Sequence, residues 1–293
     1  MTKKAGAVEQ ELDKETVLGN LLNFEEVRKS TILLYGRPMV GKTLLTVYEA
    51  ARLAKLYGGG VLLVVSEPNY SVKSLQDAIS SIISSMNVSF DVVYEKFADR
   101  IVPHLYHLIR EEQARKEEEG KDWVPKYRVA IVDSLRSIAM AEQSKLSYIA
   151  RKQTRTLALT GIRSSSWVVW NLSSFADAVD GWAFAIASAT STVGTGLYQG
   201  LVPYTPSLSE KSLHDVASLI WLGSSKDFPE KIKGDVKKMG KKLKDVRIAV
   251  TVIHRSMPAG DGIVFEFTKA SNFVKPVPLF RTKYEYEEEE DIV

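Results

Sequence analysis

The sequence predicts an α/β fold with a mostly parallel central sheet flanked by helices, and three observations carry that expectation. Short uncharged apolar runs, Thr31–Tyr35, Val61–Val65 and Val129–Val132, have the length and composition of strands buried on both faces. Longer segments with apolar residues at helical spacing separate them. The segment Gly36 to Thr43 fits the pattern G-x-x-x-x-G-K-[ST] between the first apolar run and the first helical segment, the context in which such a loop binds phosphate.

In chain order, Thr31–Tyr35 is the first strand and Leu44 to Leu56 the first helix, which the glycine run Gly58–Gly60 ends. Val61–Val65 follows as the second strand, and Ser71–Ser85 and Phe97–Glu119 as helices, the latter ending in densely charged, solvated sequence. Val129–Val132 is the third strand, ending at Asp133, with a helical stretch from Leu135 to about Leu159 behind it. Trp167–Leu172 reads as a fourth strand ending near Asn171. From residue 175 to 212 the sequence is rich in Ala, Ser, Thr and Gly without clear period, which predicts a long mobile loop. Asp215–Leu222, Arg247–His254 and Ile263–Phe267 alternate as a closing set of strands. The expected organisation is an extension over 1–17, one core over 18–275 with a basic connection at 226–247, and an acidic tail over 276–293.

Composition excludes whole classes of chemistry. The 293 residues contain no cysteine, which removes thiolate nucleophiles, thiolate metal sites and disulfides. The four histidines form no HExxH helix or His/carboxylate cluster, which argues against a transition-metal enzyme. The N-terminal residues carry no apolar signal region and no later stretch is long and apolar enough to span a bilayer. A cytoplasmic protein with no membrane partner is the expectation. The net charge of +3 says little by itself; its distribution matters more.

The loop Gly36, Arg37, Pro38, Met39, Val40, Gly41, Lys42, Thr43, with Leu44 behind it, supplies the parts a nucleotide triphosphate needs. Glycines let the backbone wrap a phosphate, the helix N-terminus points N–H groups at it, and Lys42 adds charge. The Thr43 hydroxyl, with Asp133 at a neighbouring strand end, is the expected Mg2+ pair. Glu67, closing Val65-Ser-Glu-Pro, is the candidate general base for an attacking water, and Asn171 the candidate sensor of the terminal phosphate.

Together these residues resemble the RecA/RadA recombinase family, whose relatives include KaiC-like ATPases. The resemblance runs in order from about Leu18 to Phe273: the phosphate loop, a strand ending in Glu67, the Walker B-like Ile131-Val-Asp-Ser134, the strand ending in Asn171, and the loop opening Ala178-Val-Asp-Gly181. It implies a RecA-like P-loop ATPase core, ATP and Mg2+ as ligands, catalytic roles for Lys42, Glu67 and Asn171, and a homo-oligomer. Too few residues precede the first strand for the family's helical N-terminal DNA-binding domain, which points to a core-only RadA paralogue. The expected partners are single-stranded DNA and a recombinase or other repair protein, in recombinational repair. The alternative is a KaiC-like signalling or scaffold ATPase that acts on a protein.

Contact with DNA must then come from the core. Arg136, Lys145, Arg151, Lys152 and Arg155 make the stretch after Asp133 one-sidedly basic, suited to phosphates. Trp182 and Phe184, on the expected loop, are candidates for stacking on bases. Lys226–Arg247 holds nine basic against four acidic residues, including Lys237, Lys238, Lys241 and Lys242, and with Gly234 and Gly240 in it reads as a projecting basic hairpin. Arg255 is the candidate to reach a neighbouring subunit's nucleotide.

Overall fold

In the computed structural model, the described residues are 12–67, 72–150, 154–191, 202–206, 208, 213, 215–254, 257–270 and 273–284. The chain runs β1 (Ser30–Gly36), α1 (Lys42–Tyr57), β2 (Gly60–Val65), α2 (Lys73–Met86), β3 (Phe90–Tyr94), α3 (Ala98–Glu119), β4 (Tyr127–Asp133), α4 (Leu135–Ala150) and α5 (Thr154–Ala178). It continues with β5 (Trp182–Ser191), β6 (Tyr204–Pro206), β7 (Val216–Ser224), α6 (Glu230–Lys238), β8 (Val246–His254), β9 (Met257–Pro258), β10 (Asp261–Ala270) and β11 (Phe273–Lys283).

The strands form one sheet in the order β11-β10-β8-β7-β1-β5-β4-β2-β3, with β6 paired to β5 and β9 to β8. From β7 to β3 all neighbours are parallel; β8, β10 and β11 extend the sheet antiparallel. The parallel strands β1, β2 and β4 are buried at nearly every residue because helices cover both faces. One core layer packs Leu33, Val64, Val132 and Ala185 under α3, α5 and α6; the other packs Ile32, Leu63, Ile131 and Ile186 under α1, α2 and residues 17–27. That alternation within single strands fixes the register of the sheet, since a slip by one residue would exchange the two layers. The end of the N-terminal extension is pinned to α1. Fully buried Glu49 accepts bonds from Thr16 Oγ1 and from the Val17 and Leu18 amides, at 2.7 to 2.9 Å.

Four sequence expectations are corrected here. Trp167–Leu172 is not a strand but the middle of α5. Its period shows only in a wider window: Ser165, Val168, Val169, Leu172, Phe175, Ala176 and Val179 are all buried, the i, i+3, i+4, i+7 stripe of a helix. The strand between β4 and β1 is β5, inside the expected mobile loop at 175–212. Its Ala183, Ala185 and Ala187 face the layer under α5, where close packing needs small side chains, while Trp182, Phe184 and Ile186 fill the other layer. The basic connection at 226–247 is no hairpin. It forms the helix α6, whose Ile232 and Val236 join the core, with Gly234 on open space where the missing side chain costs no contact. The boundary at 276 also falls inside an element, because β11 carries the sheet on to Lys283. The acidic run from Glu285 to Asp291 lies outside the described residues.

Candidate functional site

The carboxyl ends of β1, β2 and β4 converge, and the polar residues singled out by spacing meet there. Such strand ends, where the connections diverge, are where open α/β sheets bind ligands. The loop from Arg37 to Gly41 leads from β1 into α1. Val40 is buried and anchors it, whereas Pro38 and Met39 are exposed. Gly41 has φ 94°, and a Cβ there would lie 2.4 Å from the Phe267 ring; a Cβ on Gly36 would lie 2.4 Å from the Leu222 carbonyl oxygen. Both glycines are therefore required by close packing, against β10 and β7 respectively, and Gly41 also by its left-handed backbone. The contact of Phe267 with the loop was not readable from the sequence, because it depends on which strand closes the antiparallel half.

At the start of α1, Lys42 Nζ donates to the carbonyls of Gly36 and Arg37, at 3.0 and 2.9 Å. Burial lowers its pKa, opposed by the charges of Asp133 and Glu67. Thr43 Oγ1 donates to Asp133 Oδ2 at 2.6 Å, across the intervening strand β5. Asp133 is 6% exposed, and burial pushes its carboxyl up to about 6, against the stabilising hydroxyl of Thr43. Glu67 accepts a bond from Ser134 Oγ, and Ser66 ties the two strand ends together: its Oγ donates to the Ser134 carbonyl and accepts from the Ser134 amide, at 2.8 and 2.9 Å. A cavity of about 410 Å3 opens beside Glu67, lined by Tyr94, Lys96, Phe97 and Arg100 among others.

Lys42, Thr43, Asp133 and Glu67 are thus brought into one constellation. Asn171 is not among them. It is buried in α5, where its Nδ2 donates to the Trp167 carbonyl one turn earlier at 2.8 Å, so the expected sensor is a residue of the helix interior. Among the described residues no group of three His, Asp or Glu side chains is placed to hold a metal ion. The Thr43–Asp133 pair is a smaller set of hard oxygen donors of the kind that shares an Mg2+ ion with phosphate oxygens.

The expected nucleic-acid residues divide. Trp182 and Phe184 are fully buried in β5 and cannot stack on a base; Trp182 spends its indole N–H on the Phe24 carbonyl, at 2.7 Å. Arg136, in the first turn of α4 and three residues from Asp133, is exposed. Lys145 is bound to Asp99 at 2.6 Å, Lys238 to Asp235 at 3.0 Å and Lys241 to Glu266 at 2.5 Å, whereas Lys237 and Lys242 are exposed. Glu142, which the sequence shows as an isolated negative charge, is buried and caps α3 by accepting from the Ala98 amide at 2.9 Å. Arg151, Lys152, Arg255 and the side chain of Arg155 lie outside the described residues. Among the described residues no helix is long and apolar enough to cross a membrane.

No protein-family model matches the chain, and no curated protein is detectably similar to it in sequence.

Proposed function

We propose that the chain is a RecA-like P-loop ATPase that binds ATP with Mg2+ and hydrolyses it, and that it is a relative of the RadA recombinases. The observation that carries the reading is the joining of Lys42, Thr43, Asp133 and Glu67 at the strand ends around a G-x-x-x-x-G-K-T loop. The loop amides and the start of α1 bind phosphate oxygens, and Lys42 leaves the carbonyls of Gly36 and Arg37 to pair with them. Thr43 and Asp133 fit Mg2+, because a buried carboxylate oxygen beside a hydroxyl is a hard donor pair in a site that raises the cost of an unshared charge. A bound Mg2+ supplies charge neutralisation on the phosphate oxygens. Glu67 orients a water toward the terminal phosphorus and takes its proton as the new P–O bond forms. The bond to the bridging oxygen breaks, and its electron pair leaves with ADP. Asn171 has no part in this step.

The biological reading is recombinational DNA repair, with single-stranded DNA contacted through the exposed Arg136, Lys237 and Lys242, a recombinase or other repair protein as partner, and a homo-oligomer as the working form. A second reading, a KaiC-like ATPase that works on a protein without DNA, draws support from one surface feature. Trp167 and Trp170 are 44% and 55% exposed on the outward side of α5, and exposed tryptophans are typical anchors of protein interfaces.

The test is phosphate release from Mg-ATP by the wild type and by Lys42→Ala. Loss of the ammonium lowers turnover by about 100-fold or more, the scale of a removed charge-stabilising donor. Unchanged release by the variant would sink the ATPase reading.

A further inference from the structure

We infer that Arg37 is the residue through which the phosphate loop signals its occupancy to the rest of the molecule, with β6 as the receiver; this deepens the ATP reading and rests on it. Arg37 is held at both ends. Its main-chain carbonyl accepts Lys42 Nζ at 2.9 Å, the bond that Lys42 must give up to pair with a phosphate. Its guanidinium lies over the Tyr204 ring, 4.4 Å from the centroid, and 3.8 Å from Asp227 Oδ1.

The receiving end is built rather than incidental. The Asp227 side chain is only 5% exposed, and its Oδ2 accepts from the Ser224 amide and hydroxyl at 2.9 and 3.0 Å, which leaves Oδ1 toward Arg37. Tyr204 opens the three-residue strand β6, whose pairing with β5 is limited to Ala189–Ser191. Its carbonyl is tied to the Tyr35 hydroxyl on β1 at 3.1 Å, and its ring stacks on buried Trp221 with centroids 6.3 Å apart. Trp221 in turn meets Tyr284, whose hydroxyl donates to the Asp227 carbonyl at 2.6 Å. β6 is thus a short strand secured mainly by side chains, and one of them belongs to the phosphate loop.

The mechanism follows from these contacts. When ATP draws Lys42 off the Arg37 carbonyl, the loop reshapes around the phosphates and the guanidinium is pulled from Tyr204. The β5–β6 pairing then loses one of its supports and opens more often. This gives to Arg37 and Tyr204 the part of nucleotide sensor expected of Asn171; Arg37 is a positioning residue here, and no contact of its side chain with the nucleotide is required.

Amide hydrogen exchange across Ala189–Ser191 and Tyr204–Thr205, with and without Mg-ATP, tests the inference. In the wild type ATP speeds exchange there about two- to fivefold, the change in opening expected from losing one partly exposed cation–π contact. Tyr204→Leu exchanges fast without nucleotide and does not respond to ATP, while Tyr204→Phe, which keeps the ring, responds as the wild type does. A fluorescent ATP analogue titrated in parallel separates the two claims. Failure of the wild type to bind it sinks the ATP reading and the coupling together. Binding without faster exchange, or a full response in Tyr204→Leu, overturns the coupling alone.

Discussion

Asp133 sits where the needs of folding and of function oppose each other. Burial raises its pKa from 3.8 to about 6, so between those values the folded protein holds a proton that the unfolded chain has released. Stability therefore falls as pH rises through that window and levels off above the folded pKa, at a cost of about 3 kcal/mol by linkage. Asp133→Asn removes the buried charge and keeps an oxygen to accept the Thr43 hydroxyl. The expected result is a variant that melts at a higher temperature than the wild type at pH 7.5, with the gap reduced by about half at pH 5. Its Mg-dependent phosphate release falls at the same time, because a neutral amide is a poor ligand for a hard cation. Melting curves at the two pH values check the first half of this; a variant less stable than the wild type at pH 7.5 would show that Asp133 serves the fold and not a ligand.

At the scale of elements, α5 and β5 show where one-dimensional pattern stops being sufficient. Trp-Val-Val-Trp-Asn-Leu is a six-residue apolar run, too short to separate strand from helix by period, and the deciding residues lie before and after it at Ser165 and Val179. β5 hides in the opposite way: Ala183, Ala185 and Ala187 dilute its hydrophobicity because α5 packs directly above them. The strands bearing the phosphate loop, Glu67 and Asp133 were legible because helices on both faces make them uniformly apolar. The short edge strand β3 and the long edge strand β11 were not, since each leaves many of its residues partly exposed. The misplacement of one element carried its site residue with it. Asn171 makes one part-buried bond to its own helix, and replacing it by alanine costs about 1 kcal/mol. Asn171→Ala therefore lowers the melting temperature slightly and leaves ATP turnover within about twofold of wild type, a result that phosphate-release kinetics beside a melting curve will verify.

For the whole molecule the question is whether the basic surface is free to meet a polyanion. The net charge of +3 hides a division among the described residues between lysines already engaged and lysines that face solvent. Lys241 is held by the largely buried Glu266 and would have to release it to contact a phosphate, while Lys238, itself exposed, shares its charge with Asp235. Lys237 and Lys242 are exposed within the same short stretch, and they can release counterions directly. With Trp182 and Phe184 inside the sheet, the proposed contact with DNA would rest on charge more than on stacking, and its affinity would fall steeply with salt. For a single-stranded oligonucleotide, each phosphate contact contributes about 0.7 to the slope of log affinity against log salt. The double variant Lys237→Ala/Lys242→Ala is expected to flatten that slope by about 1.4, whereas Lys238→Ala/Lys241→Ala flattens it by less than half as much. Fluorescence anisotropy at several salt concentrations measures both. Equal effects of the two double variants would mean that the carboxylate pairs do not govern this surface, and an oligonucleotide that fails to bind at low salt would leave the exposed Trp167 and Trp170 face, and a protein partner, as the better reading of what the proposed ATPase acts on.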